Sequence, residues 1–194
     1  MTRAQQRERT RAVLVEVSRQ LFATRGYAAV GLAEIVRTAG VTKGALYHHF
    51  EGGKADLFRA VLAQVQADVG RAVAAAADAE ADPWDQLVAG CRAFLTASTA
   101  DPGVRRIMLV DGPAVLGWSE WRAMDEATSA RHLAEALTGL VETGVIAPQP
   151  VEPLVRLLSG AMNEAALWLA ETAAPSALDA VLAPLVRMLG ALRA

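Results

Sequence analysis

The residues whose types and spacing can do chemistry lie together in Ala39-Gly40-Val41-Thr42-Lys43-Gly44-Ala45-Leu46-Tyr47-His48-His49-Phe50. Gly40 can make a tight turn, and Thr42 stands where a hydroxyl would cap a helix N-terminus. Leu46 and Phe50, spaced i and i+4, turn inward, while Tyr47 and His48 fall one turn after Lys43 and Gly44 on the outward face. A capped short helix with a basic entry and an aromatic, imidazole-bearing face is what a helix-turn-helix lays into a DNA major groove.

No other constellation competes. His48 and His49 are neighbours that cannot share a helix face, and the third histidine, His132, is far along the chain, so no metal site is expected. Cys91 and His132 sit in apolar helical settings without a third orienting group, so no catalytic nucleophile is expected and Cys91 reads as a small core residue. No cofactor-binding glycine-rich loop is present either.

The elements that must position the motif are helical throughout. Leu14, Val17, Leu21 and Phe22 stripe a first helix from about Arg3 to Thr24, which Gly26 ends. Leu32, Ile35, Val36 and Ala39 mark the second helix, and Thr42 opens the third. Glu51-Gly52-Gly53 breaks the chain before a long fourth helix from about Lys54 to Ala79, striped by Leu57, Phe58, Val61, Leu62 and Val65. Asp82-Pro83 and Asp101-Pro102 begin the next two, the second short and running through Met108 and Val110. Gly112-Pro113 predicts a turn, then one helix from about Trp118 to Gly144. Two more span about 151–172 and 176–192, separated by Ala174-Pro175-Ser176, with Pro184 expected to kink or shorten the last. The fold class is all-α.

The net charge of −2 conceals an asymmetry. Residues 1–60 hold 10 Lys and Arg against 5 Asp and Glu, whereas residues 61–194 hold 9 against 16. A basic head on an acidic body fits anion binding at one end and another task at the other; the plainer alternative is that Arg3, Arg7, Arg9 and Arg11 solubilise an exposed helix. With one cysteine, no apolar run after the basic start and no long apolar span, a cytoplasmic protein with no signal peptide and no membrane segment is expected.

Over about 50 positions the chain resembles the TetR/AcrR family of transcriptional regulators. The pattern is Leu21-Phe22, Gly26-Tyr27, Ile35, Ala39 through Phe50, Lys54 and Leu57-Phe58; the rest matches in outline, as helices of suitable length. Gly31 and Gly53 depart from it, standing where the family usually has a hydroxyl and often a polar cap. The resemblance implies a homodimer with a DNA-binding head, residues 1–53 (motif about 31–50), and a helical effector-binding and dimerisation body, residues 54–194. It implies no enzyme. The expected function is a ligand-responsive repressor released from its operator by a small apolar effector; an activator or a ligand-independent regulator is the alternative.

Within the head, Thr42 is expected to cap the recognition helix near a phosphate, and Lys43 to reach the backbone or a guanine edge. Gly44 and Ala45 would permit close approach to the groove, although Gly44 reads equally as a packing glycine. The resemblance implies phosphate and sometimes base contacts for Tyr47 and His48 and a phosphate contact for Lys54; His49 could contact a phosphate or pack at the helix end.

In the body, Leu87, Cys91, Phe94, Met108, Trp118, Trp121, Met124 and Trp168 are expected to line a ligand cavity, with Asp111, Asn163 and Glu164 as candidate polar anchors, most of the aromatics being ordinary core. Leu154, Leu157, Leu158, Ala161, Ala165, Leu169, Leu178, Val181, Leu182, Leu185 and Leu189 make the last two helices (about 151–192) apolar on more than one face, as a four-helix dimer interface requires.

Overall fold

The computed structural model describes residues 2–172 and 176–194. Among them the chain is helical with only short connections. The head comprises α1 (Arg3–Arg25), α2 (Leu32–Ala39) and α3 (Lys43–His49). Thr2 and Gln5 cap α1 reciprocally, and Gly26 (φ 79°) ends it. Gly31 begins α2 with no side-chain cap. Leu14, Phe22, Ile35 and Leu46, all fully buried, hold the three helices together.

The long α4 (Lys54–Asp78) starts in the head and runs into the body, where it packs chiefly on α5 (Pro83–Thr99). Gly53 precedes it at φ 66° with no side-chain cap, and the Asp56 carboxylate holds the preceding turn by accepting the Gly52 N–H at 2.6 Å. The body continues through α6 (Pro102–Arg105), a π-helical stretch (Arg106–Asp111), α7 (Gly112–Leu116), α8 (Trp118–Glu126), α9 (Ser129–Glu142), α10 (Val151–Glu171) and α11 (Ala177–Gly190). Among the described residues no helix is long and apolar enough to cross a membrane.

Two expectations need correction, and a third concerns Pro184. Gly112-Pro113 makes no turn: the π-helical stretch passes straight into α7, where Pro113 occupies the first turn and needs no N–H partner. Gly112 is required for close approach instead, since a Cβ there would lie 2.7 Å from Trp121 Cδ1. The helix expected over Trp118–Gly144 is broken at Ala127 and Thr128. There the Thr128 hydroxyl lies 3.2 Å from the Met124 and Asp125 carbonyls, and the corner packs over Gly70 of α4, where a Cβ would stand 3.8 Å from Thr128 Cβ. Finally, Pro184 sits inside α11 without ending it; Pro184 and Ala180 are both exposed, so water can serve the carbonyl the proline leaves unpaired. Ala174 and Pro175 of the expected connection lie outside the described residues.

Candidate nucleic-acid interface and effector cavity

Gly40 adopts the left-handed conformation (φ 65°, ψ 30°) and turns α2 into α3 within three residues. Thr42 then accepts the Ala45 N–H at 3.1 Å. Leu46 and Phe50 anchor the inner face of α3, which leaves Thr42, Lys43, Gly44, Tyr47 and His48 exposed and Ala45 half-buried. Lys43 Nζ stands 5.8 Å from the Tyr47 ring centroid, so cation and aromatic share one outward ridge. A Cβ on Gly44 would meet nothing but the Thr42 hydroxyl at 3.9 Å, so no packing within the chain requires this glycine.

His49 packs at the helix end, its ring 6.4 Å from that of Phe50. Burial first, and then the positive neighbours His48, Arg7 and Arg11, hold its imidazole below the usual histidine range. Arg7 and Arg11 of α1 therefore belong to the same electropositive end of the head, and Arg11 lies over the Phe50 ring at 5.6 Å. Their i, i+4 spacing was legible; the placement of α1 against α3 was not.

Lys54 is half-buried, with Nζ 3.9 Å from the Tyr27 centroid, and burial pushes its amine pKa down while the nearby Asp111 opposes the shift. Tyr27 meets Phe22 and Phe58 at centroid distances of 5.6 and 5.1 Å, closing an aromatic cluster across the joint between head and body. Two polar contacts fasten that joint. Asp111 Oδ2 accepts the Tyr27 N–H at 2.8 Å, and Arg106 donates to the Ala23 carbonyl at 2.8 Å. Gly103 lies so near α1 that a Cβ would stand 2.5 Å from Ala23 Cβ. Both latch residues come from the π-helical stretch, a distortion that often marks a functional segment. Asp111 thus belongs to the head–body joint, not to the cavity.

The cavity lies inside the body, between α4, α5, α8, α9 and α10, and measures about 50 Å3. Leu87, Cys91 and Phe94 line it from α5, facing Val73 and Ala77 of α4, Leu133 of α9 and Met162 of α10. One end is polar, formed by Asp125, Ser129, His132 and Ser159. Asp125 Oδ2 accepts from Ser159 Oγ at 3.2 Å and lies 3.4 Å from buried Arg122, which also donates to Ser159 at 2.9 Å. Burial outweighs these partners and raises the Asp125 carboxyl pKa. Burial likewise pushes the Cys91 thiol up to about 12, leaving it protonated and unreactive at neutral pH.

Five expected lining residues and two expected polar anchors lie elsewhere. Trp121 is buried but spends its indole N–H on the Met108 carbonyl at 2.7 Å, so both residues serve the core around α7 and α8. Trp118 stacks on Trp121 at 5.0 Å with most of its surface in solvent. Met124 packs half-buried against the core, and Asn163 is buried outside the lining with its Nδ2 unpartnered. Glu164 is exposed, and Trp168 projects from the outer face of α10. Asp125, Ser129 and His132, which do line the cavity, were missed because they flank a helix break that no glycine or proline announces.

The last two helices also differ from expectation in detail. Leu158, Leu169, Leu182, Leu185 and Leu189 are buried within the chain's own core. The apolar surface left over is Leu157, Ala161 and Trp168 on α10 with Pro184 and Met188 on α11.

A capped, exposed second helix of a helix-turn-helix, on a basic head packed against a helical body with a cavity, defines a DNA-binding regulator. Residues 14–61 match the family described as bacterial regulatory proteins, tetR family, and residues 84–192 match the tetracyclin repressor-like C-terminal domain. The chain belongs to the TetR family of DNA-binding transcriptional regulators, which are not enzymes. It is 36% identical over 66 residues to the regulator AcrR of Shigella flexneri, an alignment covering 34% of this chain and 30% of AcrR. A TetR-family regulator from Pectobacterium atrosepticum is similar over the whole length, with 34% identity, a TM-score of 0.77 and coverage of 100% of this chain and 98% of that one. RolR, solved in complex with resorcinol, shares the fold at 24% identity and a TM-score of 0.75, over 96% of this chain and 90% of its own.

Proposed function

We propose that the protein is a cytoplasmic homodimeric repressor that a small effector releases from a near-palindromic operator. The observation that carries this reading is α4 itself. It presents Lys54 beside the recognition helix and, nineteen residues on, Val73 in the cavity wall, a span of about 29 Å along one continuous helix. Thr42, Lys43, Gly44, Ala45, Tyr47 and His48 would enter the major groove, with Lys54 on the phosphate backbone and two heads about 34 Å apart or a multiple of it. RolR, which shares the fold, was solved in complex with the ligand resorcinol, which supports an effector site here.

Cavity occupancy would tilt α4 and change the spacing between heads. A coupling of about 1–3 kcal/mol weakens operator binding roughly 5- to 150-fold. The test is a screen of small neutral aromatic compounds for release of a labelled operator duplex. Unchanged operator affinity when a cavity ligand saturates the protein would remove the switching.

Two residue-level results are expected. Lys54→Ala should weaken binding to every duplex alike and lower the log–log salt slope by about one per bound subunit. A re-ranking of preferred bases in the selected site would instead make Lys54 a base reader. Asp111→Ala removes the acceptor of the Tyr27 N–H, so effector affinity should hold while the effector-induced loss of DNA binding shrinks by roughly 2- to 30-fold. Equal shifts in wild type and variant, read by anisotropy with and without effector, would show that the latch transmits nothing.

A further inference from the structure

We propose that the cavity takes an uncharged single-ring compound bearing a hydroxyl group, which donates to Asp125 and accepts from Ser129. This rests on the effector reading above and narrows the ligand to one chemical class.

The first ground is an orphan. Ser129 lines the cavity, and its Oγ is buried and has no hydrogen-bond partner. A buried hydroxyl without a partner destabilises the empty protein, and an alanine would fill the same place without that cost. Four residues earlier, across the α8–α9 break, Asp125 meets Ser159 and Arg122 through Oδ2, and its Oδ1 has no donor among the described residues. A ligand hydroxyl is both donor and acceptor, so one group answers both needs.

Charge excludes the neighbouring classes. A ligand carboxylate would lie beside Asp125 in a mostly apolar enclosure, where like charges are costly. A permanent cation has no unmet charge to neutralise, because buried Arg122 already accompanies Asp125. Apart from Gln86 the rest of the lining is apolar, and Leu87, Phe94, Leu133 and Met162 suit a ring.

Size then links this chemistry to the switch. The cavity of about 50 Å3 is well below the roughly 150 Å3 in which an engineered apolar cavity holds benzene. A ring enters only if the lining yields, and the lining includes flexible Met162 and, on α4, Val73 and Ala77. Occupancy therefore displaces the helix that carries Lys54.

The experiment uses the full chain and Ser129→Ala, titrated calorimetrically with phenol, toluene and benzoate, alongside thermal melting without ligand. Phenol should bind wild type about tenfold more tightly than toluene, with benzoate weakest. Ser129→Ala should lose about 3- to 30-fold in phenol affinity, leave toluene unchanged, and melt at the same or a higher temperature. The proposal is overturned if phenol fails to bind at millimolar concentration, if benzoate binds more tightly than phenol, or if the variant melts earlier with phenol affinity intact. Phenol that binds through Ser129 yet leaves DNA affinity unchanged would sink the effector reading while sustaining this ligand class. A compound that releases DNA equally from wild type and Ser129→Ala would sustain the effector reading and overturn the ligand assignment.

Discussion

Phe22→Ala is expected to destabilise the head by about 3–5 kcal/mol and to abolish specific DNA binding. Phe22 is fully buried on α1, and its ring lies 5.6 Å from Tyr27 and 5.5 Å from Phe58 of α4. Its removal opens a cavity at the centre of the aromatic cluster joining head to body. Small domains have only about 5–15 kcal/mol in all, so the head should melt first. The two regions can be watched separately, because both tyrosines, Tyr27 and Tyr47, lie in the head and all four tryptophans lie in the body. In guanidinium, the variant should lose helical circular dichroism before its tryptophan fluorescence changes. One coincident transition, shifted by less than about 1 kcal/mol, would show that the cluster does not hold the head.

Leu157→Glu paired with Met188→Glu is expected to yield a folded monomer whose operator affinity falls by about 10²- to 10⁴-fold. Leu157 is 72% exposed and Met188 59%, so neither charge enters the core of the subunit. Both residues belong to the apolar face that α10 and α11 leave uncovered, and two glutamates on each copy would desolvate unpaired in the proposed dimer. The loss in affinity follows from multivalency, since a monomer reads one half-site without the second as tether. Sedimentation gives the mass, circular dichroism the fold, and anisotropy the affinity. A folded double variant that remains dimeric would place the interface elsewhere.

How far the sequence could be read depended on whether the signal was local. Gly40, Thr42, Leu46 and Phe50 specify their turn, cap and inner face within a dozen residues, and they take those roles in the fold. The stripe of Leu87, Cys91 and Phe94 is a local pattern too, and it faces the cavity. The break at Thr128 packs over Gly70, 58 positions away on α4, and no glycine or proline at the break announces it. Asp111 and Arg106 acquire their roles only when α1 lies against the π-helical stretch. In the last two helices, composition indicated an excess of apolar surface but could not separate Leu158 and Leu189, which are core, from Leu157 and Met188, which are not. That division comes from how α10 and α11 rest on α5 and on each other.

The central claim is sequence-specific DNA recognition by two copies of the Thr42–His48 face, and selection from a randomised duplex library at fixed salt tests it most directly. The account predicts enrichment of one near-palindrome whose half-sites are centred about 10 base pairs or a multiple apart. Enrichment should disappear with Tyr47→Ala or with the monomeric double variant. Recovery of unenriched sequence, with binding that tracks only salt, would contradict it and leave the basic head as a non-specific anion contact.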